Sequence, residues 1–180
     1  MIAKTIIGKE EFERILKRLA LQIVEKNIDN IKSLAFIGIK QRGVPLAKRL
    51  ADYIRNNEGF EIPIGELDIS LYRDDQTEIS GEPLLYGQAI DFSFSDKNLI
   101  VIDDILNTGK TVRASMEAIL DRGKPLSIQL CVIGDTRNRI YPVSADFTGN
   151  RLRVSRKEYL KVNVTEIDGE DSIQIIKKEG

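Results

Sequence analysis

The sequence predicts an α/β protein with a mostly parallel central sheet flanked by helices. Two observations predict it. Short runs rich in Ile, Leu and Val alternate along the chain with amphipathic stretches of helical period. Among the runs, Leu99-Ile100-Val101-Ile102 is continuously apolar, as expected of a strand whose two faces are both covered by helices.

Residues 9–27 place Phe12, Ile15, Leu16, Leu19, Ile23 and Val24 at three- and four-residue spacing, with Glu13, Arg14, Lys17 and Arg18 between them, so they read as an amphipathic helix. Ser33 to Ile39 reads as a buried strand. Pro45 suits the first turn of a second helix, which Asn56-Asn57-Glu58-Gly59 stops. Ile64 to Tyr72 reads as a strand, and the polar stretch Arg73 to Glu82 as a long exposed loop. After the strand at 99–102, Thr111 to Leu120 reads as a helix, broken at Gly123 and Pro125, and Ser127 to Ile133 as the next strand. Beyond Asp135 come turns and short strands, including Lys161 to Val164 and Ile173 to Ile176. No repeat or linker interrupts the chain, so one domain over residues 1–180 is expected.

Composition narrows the chemistry. With 42% hydrophobic and 31% charged residues, neither disorder nor a membrane class is favoured. The N-terminus is too short and polar for a signal peptide. The single cysteine, Cys131, leaves no internal disulfide, sits in an apolar run as a buried thiol, and fits a cytoplasmic address. The chain has no histidine, which removes Ser-His-Asp and Cys-His catalysis and the usual zinc ligands. Any metal would be a hard cation held by oxygens. The net charge of −1 gives no overall attraction to nucleic acid.

Ligands in parallel sheets bind beyond the carboxyl ends of the strands. After Ile102 the chain reads Asp103-Asp104-Ile105-Leu106-Asn107-Thr108-Gly109-Lys110-Thr111. A helix start offers N–H groups to a phosphate, Gly109 lets the backbone approach it, and Thr108 and Thr111 add hydroxyls. Two carboxylates beside a phosphate make sense when the ligand also carries a sugar, whose hydroxyls donate to acids. The competing ATP-binding P-loop requires glycine at position 104, where this chain has Asp104. After Ile39, Lys40, Gln41, Arg42 and Gly43 form a basic turn suited to pyrophosphate. The third strand end delivers Asp68 to Asp75, with Arg73 as a candidate partner of a leaving group.

Residues 99–111 closely resemble the phosphoribosyl pyrophosphate signature of type I phosphoribosyltransferases. Gly38-Ile39-Lys40-Gln41-Arg42-Gly43, Asp68-Ile69-Ser70-Leu71-Tyr72-Arg73-Asp74-Asp75 and Asp103 to Gly109 together resemble the PyrR family, uracil phosphoribosyltransferases that also attenuate pyrimidine operons. The resemblance implies the type I phosphoribosyltransferase fold with a small hood, and formation of UMP and pyrophosphate with Mg²⁺. It gives Asp103, Asp104 and Arg73 catalytic roles, and Asn107, Thr108, Gly109, Lys110 and Thr111 the 5-phosphate. Lys40, Gln41, Arg42 and Gly43 take pyrophosphate, Ile105, Asp135 and Arg139 the base, and the two acids touch the metal indirectly. It also implies a homodimer or larger homo-oligomer.

Two departures bear on the base. Asn107 stands where purine-salvage relatives usually carry Asp and PyrR members commonly Tyr. The hood segment Asp135-Thr136-Arg137-Asn138-Arg139-Ile140-Tyr141-Pro142 lacks the family's histidine. An amide at Asn107 is a poor proton acceptor and speaks against a purine, while the altered hood segment keeps a purine enzyme as one alternative reading. A second is an RNA-binding attenuator using Arg151, Arg153, Arg156, Lys157 and Lys161 with Arg14, Lys17 and Arg18.

Overall fold

The computed structural model describes residues 2–70, 90–155 and 157–177. In chain order it forms β1 (Ile2–Ile7), α1 (Lys9–Asn27), a 3-10 turn (Ile28–Ser33), β2 (Leu34–Ile39), α2 (Gly43–Glu58) and β3 (Ile64–Leu67). There follow β4 (Asn98–Leu106), α3 (Lys110–Arg122), β5 (Ser127–Asp135), β6 (Phe147–Arg151), β7 (Glu158–Asn163), α4 (Thr165–Asp168) and β8 (Ser172–Lys177).

Successive side chains on a strand face opposite ways, and the central strands bury both faces. Phe36, Ile100, Ile102, Cys131 and Ile133 share one core with Phe12, Leu19 and Ile23 of α1 and Leu46, Leu50 and Ile54 of α2. The intervening residues Ile37, Leu99, Val101 and Val132 pack with Ala114, Ala118 and Ile119 of α3 on the other face. Each of the Val, Leu, Ile and Phe side chains among these contributes about 1.5–3 kcal/mol on burial. The sheet has the order β3-β2-β4-β5-β6, with every neighbour pair parallel, so the α/β expectation holds.

A second, antiparallel sheet of order β1-β8-β7 forms the hood. Its Leu160, Val162 and Ile173 join the α1–α2 core, so hood and central sheet share one apolar mass. The segment 135–142, expected in the hood, lies instead at the end of β5 and in the loop before β6.

Two strand ends differ from the sequence reading. The strand expected over 64–72 ends at Leu67, because its partner β2 ends at Ile39, opposite Leu67. The Asp68 carboxylate then accepts the Ser70 N–H at 3.0 Å and turns the chain. The strand expected over 99–102 instead runs to Leu106, because β5 also runs on and pairs with it as far as Asp135. Among the described residues no helix is long and apolar enough to cross a membrane.

Candidate active site

The acid pair sits on an overhang. β2 stops pairing with β4 at Gly38 opposite Ile102, so Asp103 and Asp104 keep β5 on one side and lie past the end of the β2 pairing on the other. Asp103 is buried and Asp104 half-buried. The Asp103 carboxylate accepts the Asp104 N–H at 2.9 Å, and the Asp104 carboxylate accepts the Ile105 N–H at 2.7 Å. Burial pushes the Asp104 carboxyl above the usual carboxylate range, a rise that the Ile105 N–H and the Arg42 charge only partly oppose.

β4 gives way to α3 through Asn107-Thr108-Gly109. Gly109 has φ 89°, a left-handed conformation that favours glycine, and a Cβ there would lie 2.7 Å from Val143 Cγ2. The N-cap residue Gly109 has no side chain to cap α3; the Thr108 hydroxyl accepts the Lys110 N–H at 3.4 Å, and the next first-turn N–H groups are left for an anion. The loop is braced from the segment after β5: the Ile140 and Tyr141 N–H groups donate to the Thr108 carbonyl at 2.9 and 3.1 Å.

The basic turn after β2 is held by backbone. The Lys40 N–H donates to the Leu67 carbonyl at 2.9 Å, and the Lys40–Gln41 peptide is cis. Arg42 ends the turn, donating from Nε to Asp168 Oδ2 at 3.0 Å and from Nη2 to Asp168 Oδ1 at 2.8 Å. This pairing raises the Arg42 pKa and holds the Asp168 carboxyl below its usual range.

A cleft of about 180 Å³ joins these strand ends: Lys40, Gln41 and Arg42 line it with Asp103, Asp104, Ile105 and Thr111. Its lining among the described residues omits Gly43, Asn107, Thr108, Gly109 and Lys110. Thr108 to Lys110 instead shape the approach to Thr111. Asn107 Oδ1 accepts the Thr136 hydroxyl at 2.7 Å. Asp135 and Arg139 are not in this lining either. The Arg139 guanidinium donates to the carbonyls of Val143 (3.0 Å), Leu106 (3.2 Å) and Asn107 (2.7 Å) and to Asp135 Oδ1 (2.7 Å). Arg73 lies outside the described residues.

Sequence reasoning missed Ile39 and Ile69 in the cleft, and Asp168 opposite Arg42. The acid-rich turn Glu166-Ile167-Asp168-Gly169-Glu170-Asp171 was the available signal for the last of these. Of the basic residues singled out for RNA, Arg18 and Arg151 line a groove of about 670 Å³ between α1 and β6, together with Lys26. Lys26 is paired there with Asp146 at 2.7 Å. Arg14, Lys17, Arg153 and Lys157 are exposed elsewhere, and Arg156 lies outside the described residues.

The phosphoribosyl transferase domain family matches residues 4–167. A bifunctional protein PyrR of Thermus aquaticus is 44% identical over 175 residues, covering 97% of this chain and 96% of that protein. The chain belongs to the PyrR family of phosphoribosyltransferases. The PyrR protein of Clostridioides difficile is 42% identical, over 94% of this chain and 96% of its own. The PyrR resemblance carried by residues 38–43, 68–75 and 103–109 is thus borne out, and with it an enzyme that transfers phosphoribosyl groups. Solved structures agree on the fold. The HGPRT-ase of Leishmania tarentolae in complex with GMP superposes with a TM-score of 0.73 at 17% identity, over 98% of this chain and 97% of that one. A hypoxanthine phosphoribosyltransferase of Staphylococcus aureus gives 0.72 at 19% identity, over 97% and 91%. At such identities the likeness concerns the fold alone.

Proposed function

We propose that this PyrR-family chain is a uracil phosphoribosyltransferase of the cytoplasm, a single domain making UMP and pyrophosphate from uracil and phosphoribosyl pyrophosphate. The bond from the sugar C1 to pyrophosphate oxygen breaks, a bond from C1 to uracil nitrogen forms, and that nitrogen gives up its proton. One observation carries the reading: the basic turn, the acid pair and Thr111 line a single cleft.

In this reading Asp103 and Asp104 accept hydrogen bonds from the ribose hydroxyls and hold the ring as C1 gains positive character. The 5-phosphate lies at the start of α3, against Thr108 to Thr111. Lys40, Gln41 and Arg42 take the pyrophosphate, with Gly43 letting the turn close against the Ile102 carbonyl beside the acid pair. Ile105 lines the base side of the cleft, while Asp135 and Arg139 act there through the loop they brace.

A divalent cation suits these residues as an ion shared with substrate. Asp103 and Asp104 offer hard oxygens, and no group of three or more acidic or cysteine side chains among the described residues forms a cage of its own. Bound Mg²⁺ would supply charge neutralisation at the pyrophosphate.

Incorporation of labelled uracil into UMP, dependent on phosphoribosyl pyrophosphate, tests the proposal; a folded sample that incorporates none defeats it. Competition by hypoxanthine and guanine separates a purine enzyme. A second activity, RNA binding, is favoured by the α1–β6 groove with Arg18 and Arg151. RNA affinity that responds to UMP and falls on Arg151→Ala would support it.

A further inference from the structure

Arg42 belongs to the turn that takes pyrophosphate, yet its Nε–Nη2 edge is occupied by a carboxylate from the hood. Asp168 is itself fixed. Its Oδ2 accepts the Val164 N–H at 3.0 Å, Lys161 Nζ stands 3.8 Å from Oδ1, and its side chain is only 12% exposed. Two parallel hydrogen bonds to an anchored carboxylate set the plane of a guanidinium as well as its place. The Nη1 edge has no hydrogen-bond partner among the described residues, and Arg42 lines the cleft.

We propose that Asp168 is a positioning residue for the leaving group: it holds one edge of Arg42 so that the Nη1 edge is presented to pyrophosphate. The proposal rests on the reading of the cleft as a phosphoribosyltransferase site.

Charge and geometry make opposite predictions here. Asp168 cancels the charge of Arg42, so if attraction alone governed binding, removing Asp168 would tighten pyrophosphate. If Asp168 acts by aiming the guanidinium, removing it weakens pyrophosphate despite the gain in positive charge. A mere fastening of hood to helix is represented by another pair. Arg49, farther along α2, donates to both oxygens of Asp171 at 3.0 Å and to Glu166. That junction makes no hydrogen bond to Arg42 itself, although Asp171 also accepts the Thr165 N–H at 2.9 Å at the start of α4, so its loosening should act on both ligands through the hood and not on pyrophosphate selectively.

The test is calorimetric titration of the full chain with magnesium pyrophosphate and, separately, with UMP. Asp168→Asn should weaken pyrophosphate about tenfold and leave UMP unchanged, whereas Asp171→Asn should alter neither selectively. Combining Asp168→Asn with Arg42→Ala should add nothing to Arg42→Ala alone. Should Asp168→Asn not fold, Asp168→Glu, which keeps the charge but shifts the carboxylate by one methylene, should give the same selective loss. Unchanged or tighter pyrophosphate binding overturns the inference, as does an equal loss of both ligands. Wild-type protein that binds UMP but no pyrophosphate also overturns it. Wild-type protein that binds neither ligand sinks the functional reading itself, and the inference with it.

Discussion

The Cα of Gly43 is seated on the main-chain carbonyl of Ile102: a Cβ built at residue 43 collides with that oxygen and lies 3.4 Å from the Ile39 side chain. The obstacle is backbone, so no rotamer relieves it. This contact sets the start of α2 against β4 one residue before the acid pair, and so the basic turn against those acids. Gly43→Ala is expected to cost about 2–4 kcal/mol and to lower transfer activity with it, read from denaturant midpoints and initial rates. Gly8→Ala, with nothing within 4 Å of the added methyl, is the control; as the N-cap of α1 it should cost up to about 1 kcal/mol and leave transfer activity unchanged.

Asp104 illustrates a site that weakens its own fold. Burial raises its pKa, so the folded chain binds that proton more tightly than the unfolded chain does. Stability is therefore fullest below the ordinary carboxylate pKa and falls as pH rises through the raised value, the loss being complete once Asp104 is ionised. Asp104→Asn removes the buried charge while keeping an oxygen for the Ile105 N–H. Calorimetry at pH 7 should show its Tm higher than wild type by roughly a few degrees, with the gap closing in acid. Transfer should fall by about a hundredfold. An Asn variant less stable than wild type at neutral pH would contradict the argument.

Cys131 offers a clean report on opening of the core. It is fully buried between β4 and β6, and desolvation pushes its thiol pKa up to about 12. The thiolate is the reactive form, so the native protein should resist iodoacetamide at pH 8, and labelling should rise only across the denaturant transition. Rapid native labelling would place Cys131 outside the core described above.

What could be read from the sequence follows the range of the interactions involved. The period of α1, the apolar run in β4 and the acid pair before Gly109 are local patterns, written within a few residues. β1 escaped notice because Ile2–Ile7 is short and its partner is β8, at the other end of the chain. The extension of β4 past Ile102 depends on β5 running equally far, which no local window reveals. The Arg42–Asp168 pair joins residues 126 positions apart. The acid-rich turn 166–171 marks a cluster of charge, but nothing local says which of its four acids meets so distant a partner.

Arg139 was expected to meet the base, and its surroundings argue for a different test of its role. Three of its acceptors are carbonyls, those of Leu106, Asn107 and Val143, and the fourth is the buried Asp135 carboxylate. The same guanidinium thus ties the end of β4 to the segment whose Ile140 and Tyr141 N–H groups hold Thr108. Arg139→Ala removes this donor from the Asn107 and Val143 carbonyls. It leaves the Leu106 carbonyl with the Thr136 N–H, and the Asp135 carboxylate with the Arg137 N–H but no counter-charge. The loss is expected to cost about 2–3 kcal/mol. If Arg139 acts through the phosphate loop, the variant should weaken ribose 5-phosphate and UMP by the same factor, because both rely on that loop. If it touched uracil, UMP alone would suffer. Equal loss, measured by titration at a temperature where the variant is folded, is the outcome the hydrogen bonds predict.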